Sequence, residues 1–241
     1  MIKNKIRLFL EHQLSDGNSV VLSRKQANYI FNVMRLNVGD NLRVFNNNDG
    51  EWLSRIQEKS KTRGVILFLK KIAISYRPPD IWFIFAPIKK TRTDFIVEKV
   101  TEMGAAKIIP VITDHSNTNR ISRDRLQAHA IEAAEQCGTN FVPNVSELRK
   151  LSDILASWSM SRTIFFCDET KYNPDRSEMI KKKGPSAILI GPEGGFSERE
   201  RCMLSAKDFV HSVSLGPRIL RADTAAVVAL TLWQSSNGDW Q

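Results

Sequence analysis

Two glycine-proline segments near the end of the chain hold the residues best able to do chemistry. Ile188-Leu189-Ile190-Gly191-Pro192-Glu193-Gly194-Gly195-Phe196 runs a short apolar segment into a glycine-rich loop, and Leu215-Gly216-Pro217-Arg218-Ile219-Leu220-Arg221 repeats the arrangement. Two strand ends that break into such loops at one level form a pocket of bare backbone. That pocket suits a flat polar cofactor read by main-chain N–H and C=O groups. Arg218 and Arg221, beside a helix start, predict an anionic guest, either a phosphate or a developing oxyanion. Neither loop is a phosphate-binding P-loop, because no Gly-Lys-Ser/Thr follows, and the glycine spacing differs from the dinucleotide fingerprint. Taken by itself, the first loop reads equally well as a tight strand-to-helix turn with Glu193 in solvent. The bland alternative for Arg221 and Asp223 is a surface ion pair of little energetic weight.

These loops need a sheet behind them. From residue 76 onward, apolar runs of four to six residues alternate with helical patterns. Strands are expected at Ile81–Ala86, Ile108–Val111, Thr163–Cys167, Ala187–Ile190 and His211–Leu215, and helices at Thr93–Met103, Arg123–Gln136, Leu151–Trp158, Glu198–Ala206 and Thr224–Trp233. Such alternation predicts a parallel α/β sheet covered on both faces. Ser197 followed by Glu200 is a capping box that starts one helix, and Asp223 or Thr224 is the expected cap of the last. Lys181-Lys182-Lys183 reads as a solvated loop before a strand.

The first 75 residues have a different texture, with short strands at Arg7–Leu10, Val20–Leu22, Asn41–Phe45, Trp52–Gln57 and Val65–Ile74. One helix, opened by Ser23 and running to about Met34, places Ala27, Ile30, Phe31 and Met34 on one face. Asn37–Asp40 and Asn48-Asp49-Gly50 are turn signals. The pattern predicts a small β-barrel, and Tyr76-Arg77-Pro78-Pro79 predicts a linker. The division expected is therefore 1–75 and 76–241.

Charge follows the same division. The 241 residues carry a formal net charge of +9, and residues 1–75 hold 13 Lys and Arg against 6 Asp and Glu. A basic module joined to a nearly neutral body favours a polyanionic partner, with a merely basic surface as the alternative. Cys137, Cys167 and Cys202 are far apart and odd in number, so they predict reduced cytoplasmic thiols, and the four histidines show no ligand spacing, so no metal is expected. The apolar run Leu8–Leu10 is too short for a signal peptide, and no segment approaches membrane-spanning length.

Together the two loops resemble the cofactor signatures of the SPOUT class of S-adenosylmethionine-dependent RNA methyltransferases. More narrowly, the chain is similar to the ribosomal RNA small-subunit methyltransferase E family. Three further segments carry that resemblance: Lys89-Lys90-Thr91-Arg92-Thr93-Asp94 through Gly104, Glu132-Ala133-Ala134-Glu135-Gln136-Cys137-Gly138, and Arg35-Leu36-Asn37-Val38-Gly39-Asp40. It spans essentially the whole chain. Thr139 stands where the family usually has arginine, and Ala222-Asp223 stands where it usually has Thr-Glu.

The resemblance implies an N-terminal PUA-like β-barrel for RNA and a SPOUT-type, trefoil-knotted parallel-sheet domain. It also implies a homodimer in the cytoplasm, without membrane or metal. The implied reaction is methylation of uridine N3 in 16S ribosomal RNA or the small ribosomal subunit, with S-adenosylmethionine as cofactor. Leu189, Ile190, Gly191, Glu193, Gly194, Leu215, Gly216 and Leu220 would then hold the cofactor. Glu193, Arg218 and Arg221 would carry the chemistry; Arg7, Arg24, Lys25 and Arg35 are the expected RNA phosphate contacts, with a solvated surface charge as the equal alternative for each. Glu98, Glu102 and Gln136 read as structural or groove-lining. Two rival readings share these residues: a SPOUT enzyme acting on a ribose 2′-hydroxyl or on transfer RNA, and a non-catalytic RNA-binding assembly factor.

Overall fold

The computed structural model describes residues 6–60, 63–170, 179 and 182–240. Lys181, noted above, lies outside the described residues. The chain forms two compact units, residues 1–77 with 134–142, and residues 78–133 with 143–241.

In the first unit, five strands form one sheet: β1 (Arg7–Phe9), β2 (Ser19–Val21), β3 (Asn41–Asn46), β4 (Gly50–Lys59) and β5 (Gly64–Ala73), in the order β1-β3-β4-β5-β2. β1 runs parallel to β3 and the other pairings are antiparallel. Three register shifts between β4 and β5 add local twist, which lets the sheet curl around its core. The β3–β4 turn is held by side chains: Asn46 Oδ1 accepts from the Asp49 N–H at 2.6 Å, while the Asp49 carboxylate accepts from Asn46 Nδ2 and from the Leu14 N–H. Those two bonds, Asn46 first, hold the Asp49 pKa below its usual value.

Ser23 caps α1 (Arg24–Asn28) through a reciprocal box with Gln26. The helix then widens into a π-helical turn at Tyr29–Val33 and ends on Arg35, whose φ of 56° is the left-handed conformation usually left to glycine. The Leu36 N–H closes the end on the Ile30 carbonyl at 3.0 Å. Ala27, Ile30 and Phe31 are buried against Leu42, Val44, Ile56 and Phe68 of the curled sheet, and Met34 packs partly against the same core.

The second unit is built on a parallel sheet in the order β12-β10-β11-β6-β7-β8. Its strands are β6 (Ile81–Phe85), β7 (Lys107–Ile112), β8 (Asn144–Val145), β10 (Thr163–Cys167), β11 (Ser186–Ile190) and β12 (Val210–Val213), with the short β9 (Arg149–Lys150) also on β7. β11 is buried at every position and β6 at all but Trp82, the unbroken apolar reading expected of strands covered on both faces. The helices are α2 (Lys90–Glu102), α3 (Arg123–Cys137), α4 (Leu151–Ala156), α5 (Glu198–Ser205) and α6 (Ala222–Asn237).

Two helix starts differ from the sequence reading. α2 begins one turn before Thr93, because the Arg92 and Thr93 N–H groups both bond to the Lys89 carbonyl at 3.0 Å. No Ser, Thr, Asp or Asn marks that start, and its first turn holds cations instead. α6 begins at Ala222, with Arg221 as its N-terminal flanking residue and the Ala225 N–H on the Arg221 carbonyl at 2.8 Å. Neither Asp223 nor Thr224 is the cap. β12 also stops before Leu215, since the Ser214 hydroxyl accepts from the Gly216 N–H at 3.3 Å and turns the chain.

Candidate active site

Three neighbouring parallel strands of the second unit end at one level. Cys167 at the end of β10 is in register with Ile190 of β11 on one side and Val213 of β12 on the other. The loops beyond those ends enclose a cavity of about 380 Å³. The C-terminal ends of strands are where open α/β sheets bind ligands, and the volume falls within the roughly 300–1,000 Å³ typical of ligand pockets. Ile190, Gly191, Glu193, Gly194, Leu215, Gly216, Arg218, Leu220 and Arg221 all line it. Leu189 does not: strand alternation turns it to the opposite face, where it is fully buried against Ile84, Ile109, Phe166 and Phe196. Its expected cofactor contact is therefore replaced by a packing role.

The loop after β11 is shaped by sterics. A Cβ on Gly191 would stand 2.5 Å from the Phe196 ring, which itself packs edge-on against Phe166 with ring centroids 4.8 Å apart. The Gly195 N–H closes a turn on the Pro192 carbonyl at 2.9 Å, and Gly195 has a φ of 66°. The Ser197–Glu200 capping box is formed on both sides and starts α5. Glu200 is buried and also accepts from the Asp114 N–H at 2.9 Å, so the loop after β7 braces the loop after β11. His115 adds a second brace through Nδ1, 2.9 Å from the Gly194 carbonyl oxygen. Arg199, 2.5 Å from Asp114, and then the Ser197 hydroxyl hold the Asp114 carboxyl below its usual range.

A third wall comes from Cys167-Asp168-Glu169, which the sequence reading left out of the site. Asp168 is buried and paired with Arg201, whose other amino group meets Glu169 at 2.6 Å. Burial works against the Arg201 charge, but the hydrogen bonds it donates to Glu169 and Asp168 outweigh that and raise the pKa. The Arg201 Nε donates to the Phe196 carbonyl at 3.2 Å, joining this wall to the first loop. Burial pushes the Cys167 thiol up to about 12, so it lines the cavity as a neutral, unreactive group. The signal for this wall was present: an apolar parallel strand running straight into Asp-Glu is the same grammar as the two loops recognised.

At the mouth, Arg218 and Arg221 are exposed, and between them Ile219 is 78% exposed. Glu193 forms an ion pair with Arg92 of α2, whose Nε is also 3.4 Å from an Asp223 carboxylate oxygen. Asp223 thus pairs with Arg92, and no Arg221–Asp223 pair occurs among the described residues.

In the first unit, Arg24, Lys25 and Arg35 are exposed and available to an anion. Arg7 is not. Only 7% exposed, it pairs with Glu51 at 3.0 Å, donates to the carbonyls of Ala134 and Thr139 at 2.6 and 2.8 Å, and stacks 4.2 Å above the Phe45 ring centroid. Its donors are committed inside the unit, so the expected phosphate contact is corrected to a structural role.

The chain matches the RNA methyltransferase domain family over residues 76–234 and the RNA methyltransferase PUA domain over residues 22–69. It is 30% identical to the ribosomal RNA small subunit methyltransferase E of Synechocystis, over 88% of this chain and 71% of that one. The Rickettsia conorii protein of the same name is 28% identical over 93% of each chain. A solved ribosomal RNA small subunit methyltransferase E from Neisseria gonorrhoeae, bound to S-adenosyl methionine, superposes with a TM-score of 0.90 at 26% identity, covering 98% of this chain and 99% of that one. The curled first sheet and the parallel second sheet therefore have close counterparts over nearly the full length, and the chain belongs to the ribosomal RNA small subunit methyltransferase E family of RNA methyltransferases.

Proposed function

We propose that the protein transfers a methyl group from S-adenosylmethionine to N3 of one uridine in 16S ribosomal RNA. The observation that carries this reading is the cavity beyond β10, β11 and β12, walled by two glycine-rich loops and by Cys167-Asp168-Glu169, with two arginines at its rim. Gly191, Gly194 and Gly216 present bare backbone to that cavity, which fits an adenosine read by main-chain groups. Ile190, Gly191, Gly194, Leu215, Gly216 and Leu220 would hold the cofactor. When bound, it supplies an electrophilic methyl carbon on a sulfonium.

The protein's own residues do the rest. Uridine N3 is a poor nucleophile while it keeps its proton. Glu193 accepts that proton as N3 forms its bond to the methyl carbon and the sulfonium bond breaks. Arg218 and Arg221 hold the flanking phosphates or the negative charge that spreads onto the uracil oxygens. Arg24, Lys25 and Arg35 of the first unit bind RNA backbone without reading sequence. The enzyme works as a cytoplasmic homodimer on ribosomal RNA or the small subunit.

Mass spectrometry of 16S ribosomal RNA from cells with and without the protein tests this. One N3-methyluridine should disappear in its absence, and an unchanged uridine profile refutes the assignment. Loss of a 2′-O-methyl group, or of a transfer RNA modification, refutes the position while keeping the chemistry.

A further inference from the structure

Arg92 reaches two carboxylates carried by different loops. Its guanidinium pairs with Glu193 at the cavity mouth, and its Nε stands 3.4 Å from Asp223 in the first turn of α6. This placement opposes local electrostatics. The first turn of α2 holds no acidic residue, and Lys89, Lys90 and Arg92 crowd the positive end of its dipole. The packing of α2 does not require a cation there, because the face it buries is Thr93, Ile96, Val97, Val100 and Thr101. A local rule broken with no gain to the element that breaks it points to a role beyond that element.

We infer that Arg92 is a positioning residue for methyl transfer, holding the Glu193 carboxylate at the cavity mouth and tying it to α6 through Asp223. The inference rests on Glu193 being the acceptor of the uridine N3 proton. The Glu193 side chain is 41% exposed and sits in a glycine-flanked loop, so by itself it would sample many rotamers. A guanidinium anchored on a helix selects one of them. One guanidinium also serves two carboxylates, so the trio carries a net charge of −1. Glu193 can therefore take up the N3 proton while Arg92 keeps its charge and its contact with Asp223.

The test uses purified full-length protein and small ribosomal subunits that lack the modification. Cofactor affinity is measured by calorimetry and transfer by radiolabelled cofactor over a pH series, with a thermal melt of each variant. Arg92→Ala should lower kcat about 100-fold, as a misplaced reactive group does, with KM and cofactor Kd changed by no more than about three-fold. The pH at half-maximal kcat should move, and the effect of Asp223→Asn should not add to that of Arg92→Ala. Arg92→Lys should fold normally and recover part of kcat, since one ammonium replaces the charge but not the fork. An unchanged kcat in Arg92→Ala overturns the inference, as does a kcat loss matched by an equal loss of cofactor affinity. If Arg92→Ala does not fold, Arg92→Lys decides: a folded variant with full kcat overturns the inference. Wild-type protein that binds cofactor but methylates no subunit overturns the functional reading, and the inference with it.

Discussion

Arg7 and Glu51 form an ion pair at 3.0 Å inside the first unit, with both side chains less than one-tenth exposed. The pair also anchors the backbone of residues 134–139, because Arg7 donates to the Ala134 and Thr139 carbonyls. Replacing Arg7 by Met leaves the buried Glu51 carboxylate with only the more distant Arg43 guanidinium, at 3.8 Å, and takes the Arg7 donors from two carbonyls, so it should cost about 3 kcal/mol in urea unfolding. RNA affinity of the protein that remains folded should be unchanged. A stable variant with weakened RNA binding would restore the phosphate contact withdrawn above.

Arg35 gives a cleaner test of RNA contact. Its left-handed φ suits glycine, so Arg35→Gly should leave the melting temperature unchanged or raise it. The same change removes one exposed charge. RNA affinity should therefore fall, and the slope of log affinity against log salt should flatten by about 1. A slope equal to wild type removes Arg35 from the interface.

Gly191→Ala should act on the cofactor. The new Cβ meets the Phe196 ring at 2.5 Å, and Phe196 is itself packed against Phe166. The loop must move, and calorimetric affinity for S-adenosylmethionine should drop at least about ten-fold, since overpacking typically costs roughly 1–3 kcal/mol. Unaltered affinity would place the cofactor elsewhere.

Arg218→Ala should abolish methylation while leaving cofactor affinity within about three-fold, as expected for a group that acts only in the transition state. A methylation rate equal to wild type takes Arg218 out of the mechanism.

Asp114 predicts a pH dependence. Its folded-state pKa lies below the usual 3.8, through Arg199 first and then Ser197. Between the folded and unfolded values the unfolded chain binds more protons, so this contribution is complete above the unfolded pKa and is lost as pH falls through the folded one. Denaturation below about pH 4 should therefore be less steep in Asp114→Asn than in wild type. Identical acid limbs would show that the Asp114 contacts persist on unfolding.

Much of the candidate site's lining was legible because it follows from strand grammar. Apolar runs that break into Gly-Pro locate strand ends, and a parallel sheet brings those ends to one level; hence Gly191, Gly216, Arg218 and Arg221 line one cavity. The Ser23–Gln26 and Ser197–Glu200 boxes formed because capping depends on residues three apart, a distance the chain itself sets. Leu189 was misplaced because apolar character marks a strand without saying which face a residue presents. The start of α2 was missed because Lys89, Lys90 and Arg92 give no capping signal.

The amino-acid sequence by itself determined most of the order of strands and helices and the backbone-lined loops that mark an RNA methyltransferase. Those features arise from periodicity, turn chemistry and local hydrogen bonds, which act over a few residues. Only the tertiary structure decided which charges meet. It buried Arg7 on Glu51, 44 residues away in the chain, gave Arg201 to Asp168 and Glu169, and placed Arg92 between Glu193 and Asp223. A charged side chain has no apolar period, and no short spacing names the partner in any of these pairs. Its role is set by the desolvation and geometry that packing imposes once distant segments come together.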